Sequence, residues 1–481
     1  MPLILGGTAV TAASQRASCR FDSTANTYFT SDFVGDGAEG TSKQATFSMW
    51  VKQALEDNRA TLISGKGSGY AKIRFADDGA GGYFALYGTG TMSSTSVYRD
   101  PNAWMHVVIT YDTGQAAGAD RFRVWINNEQ ITAWDTASYP GQDSTVWMTS
   151  ADDLELGSYQ AGGAENFDGY MAEYICIDNA ALTPTSFGAY DSDSPTIWTP
   201  KSSDDIKLLT FGTKGYYLDF SDSADMGADV SGNGNDFTGV NITAVNQCTD
   251  HPTNNFCTMS PILGTYVGSG ADFTLGNTKI AYTASGTYAP NYGTLGVNAG
   301  KWYWEVTPTA RTSGNDYMIG VASTQTTATT EELGHFPNDV SFYSSSGEYR
   351  KNDAYSSGYG SSWDTDEVIG IALDLTNMNL YFAIDNVWQD SGVPTSGATG
   401  TGAIDISLSA YTTANPALGG WFPALMYYDS GGVGTFETNF GNPPSANTSD
   451  AADGNDYGKF EYAPPSGYLA ICTKNLGSDG G

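Results

Sequence analysis

Apolar and polar residues alternate along this chain from end to end, and that period of two constrains its fold more than any other feature. In RFRVWINNEQI (Arg121 to Ile131), Phe122, Val124 and Ile126 fall on one side; Arg121, Arg123, Trp125 and Asn127 fall on the other. In FSMWVKQ, Phe47, Met49 and Val51 oppose Ser48, Trp50 and Lys52. Side chains point to alternate faces of a strand, so each segment reads as a strand with one buried and one wetter face. WMHVVITYD (Trp104 to Asp112), FDGYMAEYICID (Phe167 to Asp178), KWYWEV from Lys301, YMIGVA, WFPALMYYD and TFETNFG extend the series. VIGIALDLTNMNLYFAIDNVW (Val368 to Trp388) is a hairpin turning at Leu375–Thr376–Asn377–Met378, with Leu380, Phe382 and Ile384 opposite Tyr381, Ala383 and Asp385. Turn clusters such as TYDTGQAAGAD and SGKGSG separate the strands, and hardly any helical stripe exceeds two turns. The pattern predicts an all-β protein of antiparallel sandwiches.

The 481 residues are enough for two or three domains with real cores. The Ser/Pro/Asp-rich stretch DSDSPTIWTPKSSDD (Asp191 to Asp205) breaks the alternation and marks a boundary. The expected organisation is two jelly-roll-type β-sandwiches in tandem. Residues 1–193 form the first and 194–299 a Gly/Asn-rich linker and lead-in. Residues 300–446 form the second sandwich, and 447–481 a C-terminal extension whose Tyr468 to Ile471 is apolar enough to dock on a neighbour.

Fifty-three Asp and Glu against 21 Lys and Arg give a net charge of −32, which repels phosphate backbones and excludes nucleic acid as a partner. It equally disfavours docking on an anionic membrane, and no apolar run approaches the ~20 residues that span a bilayer. Disorder is not expected in a chain that is 40% hydrophobic and 13% aromatic. Met1 to Ser14 has no basic residue before its short apolar start, so no secretory signal is expected. The five cysteines are scattered; Cys248 and Cys257, the one close pair, read as buried free thiols rather than a zinc site, as in a chain made in a reducing cytosol.

Three motifs in the first half, TFSMWVK, AWMHVVITYD with RFRVWINNEQI, and LELGSYQAGGAENFDGYMAEYICIDNAAL, resemble the laminin-G-like members of the concanavalin-A-like lectin/glucanase superfamily over about Phe47 to Leu182. The successive segments GKWYWEV, YMIGVA, SFYSSSGEYRKND, DEVIGIALDLTNMNLYFAIDNVW and GWFPALMYYDSGGVGTFETNFG resemble a SPRY (B30.2-like) domain over about Gly300 to Gly441. GYYLDFSDSADMGADVSGNGNDFTGVNI, DHPTNNFCTMSP and the terminal APPSGYLAICTKNL are similar to segments of tail-associated and virion-surface proteins of bacteriophages. The first resemblance implies a structural role for His106, sheet-packing roles for Trp50 and Trp125, and a metal at a sheet rim in some members.

No catalytic constellation is evident. Retaining glucanases place two carboxylates on one strand face as nucleophile and acid/base; here Asp152, Asp153 and Glu155 lack a second Glu at that interval, and the adjacent Asp366 and Glu367 point to opposite faces. His106, His251 and His335 have no nucleophile motif beside them, and GxSxG is absent. The Asp-rich loops Tyr111 to Asp120 and Asp219 to Asp236, including Asp222, Asp225, Asp229, Asn233, Asn235 and Asp236, offer the hard oxygens that Ca²⁺ takes but fit no EF-hand register. Solvated acidic turns are the preferred reading, with Ca²⁺ the alternative, and no cofactor is expected.

Saccharides are held by aromatic faces with amides and carboxylates reading hydroxyls. One aromatic cluster follows the second domain's SGEYRKND motif: Tyr349, Arg350, Tyr355, Tyr359 and Trp363. The SPRY resemblance implies a partner surface at such loops. A second comprises Tyr83, Tyr87, Tyr98, Trp134, Tyr139 and Trp147. Framework aromatics are the alternative for both. The function expected is a non-enzymatic bacteriophage virion protein, tail-associated or capsid-decorating. It would form a homo-oligomer among other virion proteins on the particle surface and adhere to host glycan or surface protein. A polysaccharide-degrading enzyme with a binding module, and a bacterial surface adhesin, are the alternatives.

Overall fold

The computed structural model describes residues 16–479 apart from 32–41, 55–58, 67–70, 77–81, 89, 147–152, 160–164, 193, 265–269, 283–289, 313–315, 325–330, 412–415 and 429–432. The protein is nearly all β, built as two sandwiches. In the first, one sheet runs Glu129–Gln130, Phe122–Ile126, Met105–Asp112, Gln44–Gln53, Gly169–Asp178, Ser18–Phe21, Gln247–Cys248. Its partner sheet runs Trp134–Ser138, Thr91–Val97, Tyr83–Tyr87, Lys72–Ala76, Arg59–Lys66, Asp153–Leu156, Tyr28–Ser31, Thr238–Val240. Phe47, Met49, Val51, Phe122, Val124 and Ile126 meet between these sheets as the alternation requires.

The second sandwich pairs a sheet ordered Met259–Gly264, Asn291–Gly293, Ala417–Tyr428, Asp316–Thr324, Asp339–Tyr343, Tyr349–Lys351, Ala354–Ser356 with one centred on Lys301–Arg311 and Ile369–Asp374. The expected hairpin is present: Asp374 lies opposite Asn379, and the Asp374 carboxylate accepts the Thr376 and Asn377 N–H groups at 3.0 Å each. Leu380, Phe382 and Ile384 enter the inter-sheet core, while Tyr381 packs on the other side with Tyr303, Phe460 and Tyr468.

Three expectations need correction. The face of Gln44–Gln53 carrying Ser48, Trp50 and Lys52, expected to be the wetter one, is buried. The second sandwich and its lead-in cover it. Lys52 Nζ reaches Asp250 Oδ2 at 2.8 Å and Asn255 Oδ1 at 2.7 Å, Tyr170 Oη donates to Gly276 O at 2.8 Å, and the Arg20 guanidinium donates to Pro443 O and Pro444 O at 3.1 and 2.6 Å. These bonds offset the cost of taking the polar heads out of water. Second, residues 194–299 do not form a separate linker. Tyr216–Leu218 and Gln247–Cys248 join one sheet of the first sandwich and Thr238–Val240 the other, while Ala271–Thr274 and Lys279–Tyr282 join the second sandwich. Strands of two to four residues are too short to display a period. Third, the C-terminal extension docks on its own chain: Leu469–Ala470 runs parallel to Lys301–Arg311, fixed by Ala470 N–H and Asn475 Nδ2 donating to Asp453 Oδ2 at 2.8 and 2.7 Å.

A candidate binding cleft on the first sandwich

A cleft of about 750 Å³ opens at one rim of the first sandwich, within the ~300–1,000 Å³ typical of small-molecule sites. Three separate segments wall it. The loop between Thr91–Val97 and Met105–Asp112 supplies Val97, Tyr98, Arg99, Asp100 and Trp104. The turn joining Phe122–Ile126 to Glu129–Gln130, and the stretch beyond it, supplies Asn127, Glu129, Gln130 and Thr132. A small hairpin, Gly188–Tyr190 paired with Trp198–Pro200, contributes Tyr190, Thr196 and Trp198.

Local chemistry fixes each wall. Asn127 and Asn128 have φ of +50° and +68°, the two-residue hairpin geometry that asparagine tolerates. Asn127 is further held by its N–H donating to His106 O at 2.9 Å and its Oδ1 accepting His106 N–H at 2.8 Å. Tyr98 is anchored through its backbone, its N–H donating to Gly82 O at 2.8 Å and its carbonyl accepting from Gln53 Nε2 at 3.1 Å. In the hairpin, a Cβ at Gly188 would stand 2.5 Å from Trp198 Cζ2, so glycine is what lets the indole lie across the opposite strand.

Trp198 is held by a stack that runs inward to the sheet. Trp50 and His106 stack at 4.7 Å between centroids and 11°, His106 and Trp198 follow at 6.1 Å and 25°, and Tyr190 meets Trp198 edge-on at 5.0 Å. The Trp198 indole N–H donates to His106 Nδ1 at 2.9 Å, which places the imidazole proton on Nε2, where Ser48 Oγ accepts it at 2.8 Å. Burial pushes the His106 pKa down to about 3, so the ring is neutral. Trp104 likewise spends its N–H inside, donating to Asp250 Oδ1 at 2.8 Å. Both indole donors are therefore spent inside the protein, and half-buried Trp198 lines the cleft beside the exposed Tyr190. Around it, Arg99, Asp100, Asn127, Glu129, Gln130 and Thr132 are exposed. Burial, opposed by a Ser96 hydrogen bond and aided by nearby Glu129, raises the Tyr98 pKa and keeps its hydroxyl protonated as a donor. Apolar rings beside exposed acceptors and donors can grip a molecule that carries both C–H faces and hydroxyls.

Of the sequence-predicted aromatics, Tyr98 alone lines this cleft. Tyr83 and Tyr87 lie half-buried on the outer face of the other sheet, where Tyr87 stacks under the Arg74 guanidinium at 4.8 Å. Trp134 and Tyr139 pack half-buried on the core. Trp147 lies outside the described residues. In the second sandwich the predicted cluster divides. Tyr359 and Trp363, only 5% and 2% exposed, belong to the core, and Tyr349 packs edge-on against Tyr359 at 5.3 Å. Strand alternation sends Arg350 to the opposite face, where Glu332 holds it at 2.6 Å and Asp353 pairs with it. Tyr355, 51% exposed, bonds Glu332 and lies under the Arg350 guanidinium at 4.9 Å. These five residues are thus split between the core and the outer face.

The sequence reading missed Tyr190, Trp198 and Trp104 as site residues. Trp198 stood in the stretch read as a boundary, SPTIWTPK, where a lone Trp in a polar run was the available signal. The loop Asp219 to Asp236 turns its carboxylates on its own backbone: Asp229 accepts from Tyr217, Ser231 and Asn235 N–H groups at 2.8, 2.9 and 3.0 Å, and Asp222 from Ala224 at 2.9 Å. In Tyr111 to Asp120, Asp112 accepts from Gln115 Nε2 at 2.7 Å and Asp120 pairs with Arg123 at 2.6 Å. Among the described residues no group of three or more His, Cys, Asp or Glu converges as a metal site. All five cysteines are buried and free.

Residues 23–186 match the concanavalin A-like lectin/glucanases superfamily, and residues 301–414 match the SPRY domain. No curated protein matches the chain. Among solved structures, the chain is similar to the SPRY domain of human HERC1, with 14% identity over 37% of this chain and 96% of that one and a TM-score of 0.28. It is similar to another human SPRY domain at 14% identity over 35% and 92% of the two chains, TM-score 0.25. It is also similar to domain 4 of AbnA, a GH43 extracellular arabinanase from Geobacillus stearothermophilus in complex with arabinotriose. There the identity is 18% over 30% of this chain and 64% of that one, TM-score 0.22. The first sandwich thus contains a concanavalin A-like domain and the second a SPRY domain.

Proposed function

We propose that this chain is a non-enzymatic recognition protein that holds a saccharide in the cleft of its first sandwich. The observation that carries the reading is the Trp50–His106–Trp198 stack, which fixes an aromatic platform with its polar edge turned inward, facing exposed carboxylates and amides. A concanavalin A-like domain in the same half of the chain supports it. In support of the non-enzymatic part of this reading, the cleft carboxylates, Asp100 and Glu129, are both exposed, whereas the acid of a glycosidase sits in a desolvated pocket.

We further propose that repeated copies stand on the surface of a bacteriophage particle, tail-associated or capsid-decorating, among other virion proteins and without a cofactor. Support comes from the likeness of GYYLDFSDSADMGADVSGNGNDFTG and APPSGYLAICTKNL to virion proteins, and from a charge of −32 that keeps neighbouring copies soluble. Saturable binding of the full chain to members of a glycan array, without release of reducing ends, is the expected result. Turnover of a bound glycan, or binding to none, contradicts the recognition reading. Mass spectrometry of purified particles tests the location separately, since a particle lacking the chain contradicts it.

A further inference from the structure

The hairpin that carries Tyr190 and Trp198 lies beyond the residues matching the superfamily, which end at 186. The match therefore does not account for the aromatic wall of the cleft, and the charges near that wall narrow what it can hold. Asp100, whose Oδ1 accepts the Asn102 N–H at 2.8 Å, and Glu129 come from two separate segments of the lining, both exposed; among the described lining residues Arg99 is the one cation. The lining is left with a surplus negative charge, in a chain whose total is −32. A carboxylate only accepts hydrogen bonds, so Asp100 and Glu129 call for a ligand that donates. The hydroxyls of an uncharged sugar donate. A uronate, sialate or sulfate group offers acceptors and a like charge instead.

We propose that the cleft selects uncharged saccharide units over their carboxylated, sialylated or sulfated counterparts, with the Gly188–Pro200 hairpin as the element that sets ligand choice. This rests on the saccharide reading of the same cleft. Trp198 stacks on the C–H face of one unit, and its indole N–H, already given to His106, takes no part in reading hydroxyls. Asp100 and Glu129 read hydroxyls on that unit or the next. Selection is thus built from an attractive element and a repulsive one on different segments of the lining.

The test is a glycan array in which each neutral glycan is matched by sialylated, uronate-containing and sulfated forms, read with the full chain at physiological salt. Wild type is expected to bind the neutral members at least tenfold more strongly. The Asp100→Asn, Glu129→Gln double variant is expected to bring the neutral-to-acidic ratio at least fivefold closer to one, with an unchanged melting temperature showing that these exposed sites have not disturbed folding. Trp198→Ala is expected to weaken neutral and acidic members alike. Equal or stronger binding of acidic forms by wild type, or an unchanged ratio in the double variant, overturns the selectivity while leaving saccharide binding in place. Binding to no member at all overturns the saccharide reading and this inference with it.

Discussion

In the second sandwich, Tyr349, Tyr359 and Trp363 turn inward onto the core, and Arg350 is consumed by Glu332 and Asp353. In the first, Tyr190 and Trp198 stand outside the inter-sheet core on a small hairpin, where they meet edge-on and the Trp198 indole N–H is given to His106. Both regions are aromatic-rich and turn-rich in sequence. They differ in how the ring is covered. Tyr359 and Trp363 sit between strands that close over them, whereas Trp198 crosses a glycine and is tied by its indole N–H to a histidine stacked on Trp50. A half-buried ring on a cleft wall is within reach of a ligand, and a ring enclosed by the core is framework.

The largest effects that can sharpen this contrast are on stability. Trp363→Ala is expected to cost about 3–5 kcal/mol, as removal of a large core ring does, measured by denaturant unfolding. A cost under about 1 kcal/mol would show that Trp363 is not framework. Asp250→Ala is expected to be of the same order, about 3–5 kcal/mol, because it strands the Lys52 ammonium, 1% exposed, between the sandwiches and frees the Trp104 indole. If the chain instead loses little, the two sandwiches are less closely joined than Lys52, Arg20 and Tyr170 imply.

A smaller effect is expected from pH. His106 is held at about 3 against an ordinary 6.5, so between these values the unfolded chain takes up a proton that the folded chain refuses. Stability is complete above about 6.5 and falls on acidification toward about 3, by up to ~1.4 kcal/mol per pH unit for this one group. Buried His251, also lowered, adds to the same slope. His106→Gln is expected to flatten part of the dependence of melting temperature between pH 7 and 5 and to loosen Trp198. An unchanged slope would remove His106 as the neutral support of the platform. Tyr355→Ala on the outer face of the second sandwich is expected to change stability by no more than about 0.5 kcal/mol.

Strands with a clear apolar alternation were legible in the sequence, as at Phe122 to Ile126 and Leu380 to Ile384, whereas Arg59–Lys66 and Thr91–Val97, rich in small and polar residues, were not. Short strands such as Thr238–Val240 and Leu469–Ala470 were not, because two or three residues carry no alternation and gain their place from the neighbours they pair with. Ser48, Trp50 and Lys52 gave the right face but the wrong environment, since the partner that buries them lies some 200 residues away. The cleft was the least legible part. Its walls come from three distant segments, and its principal ring, Trp198, sits in a Ser/Pro/Asp-rich run whose composition says turn and nothing about what the turn covers.

The central claim is that recognition belongs to the supported ring of the first sandwich and not to the exposed ring of the second. Titration of one neutral array-positive glycan into wild type, Trp198→Ala and Tyr355→Ala by calorimetry tests it directly. The account predicts at least a tenfold loss of affinity for Trp198→Ala, about 1.4 kcal/mol or more, with Tyr355→Ala within twofold of wild type. A Trp198→Ala variant that binds as wild type does, with the loss falling on Tyr355→Ala, would contradict it.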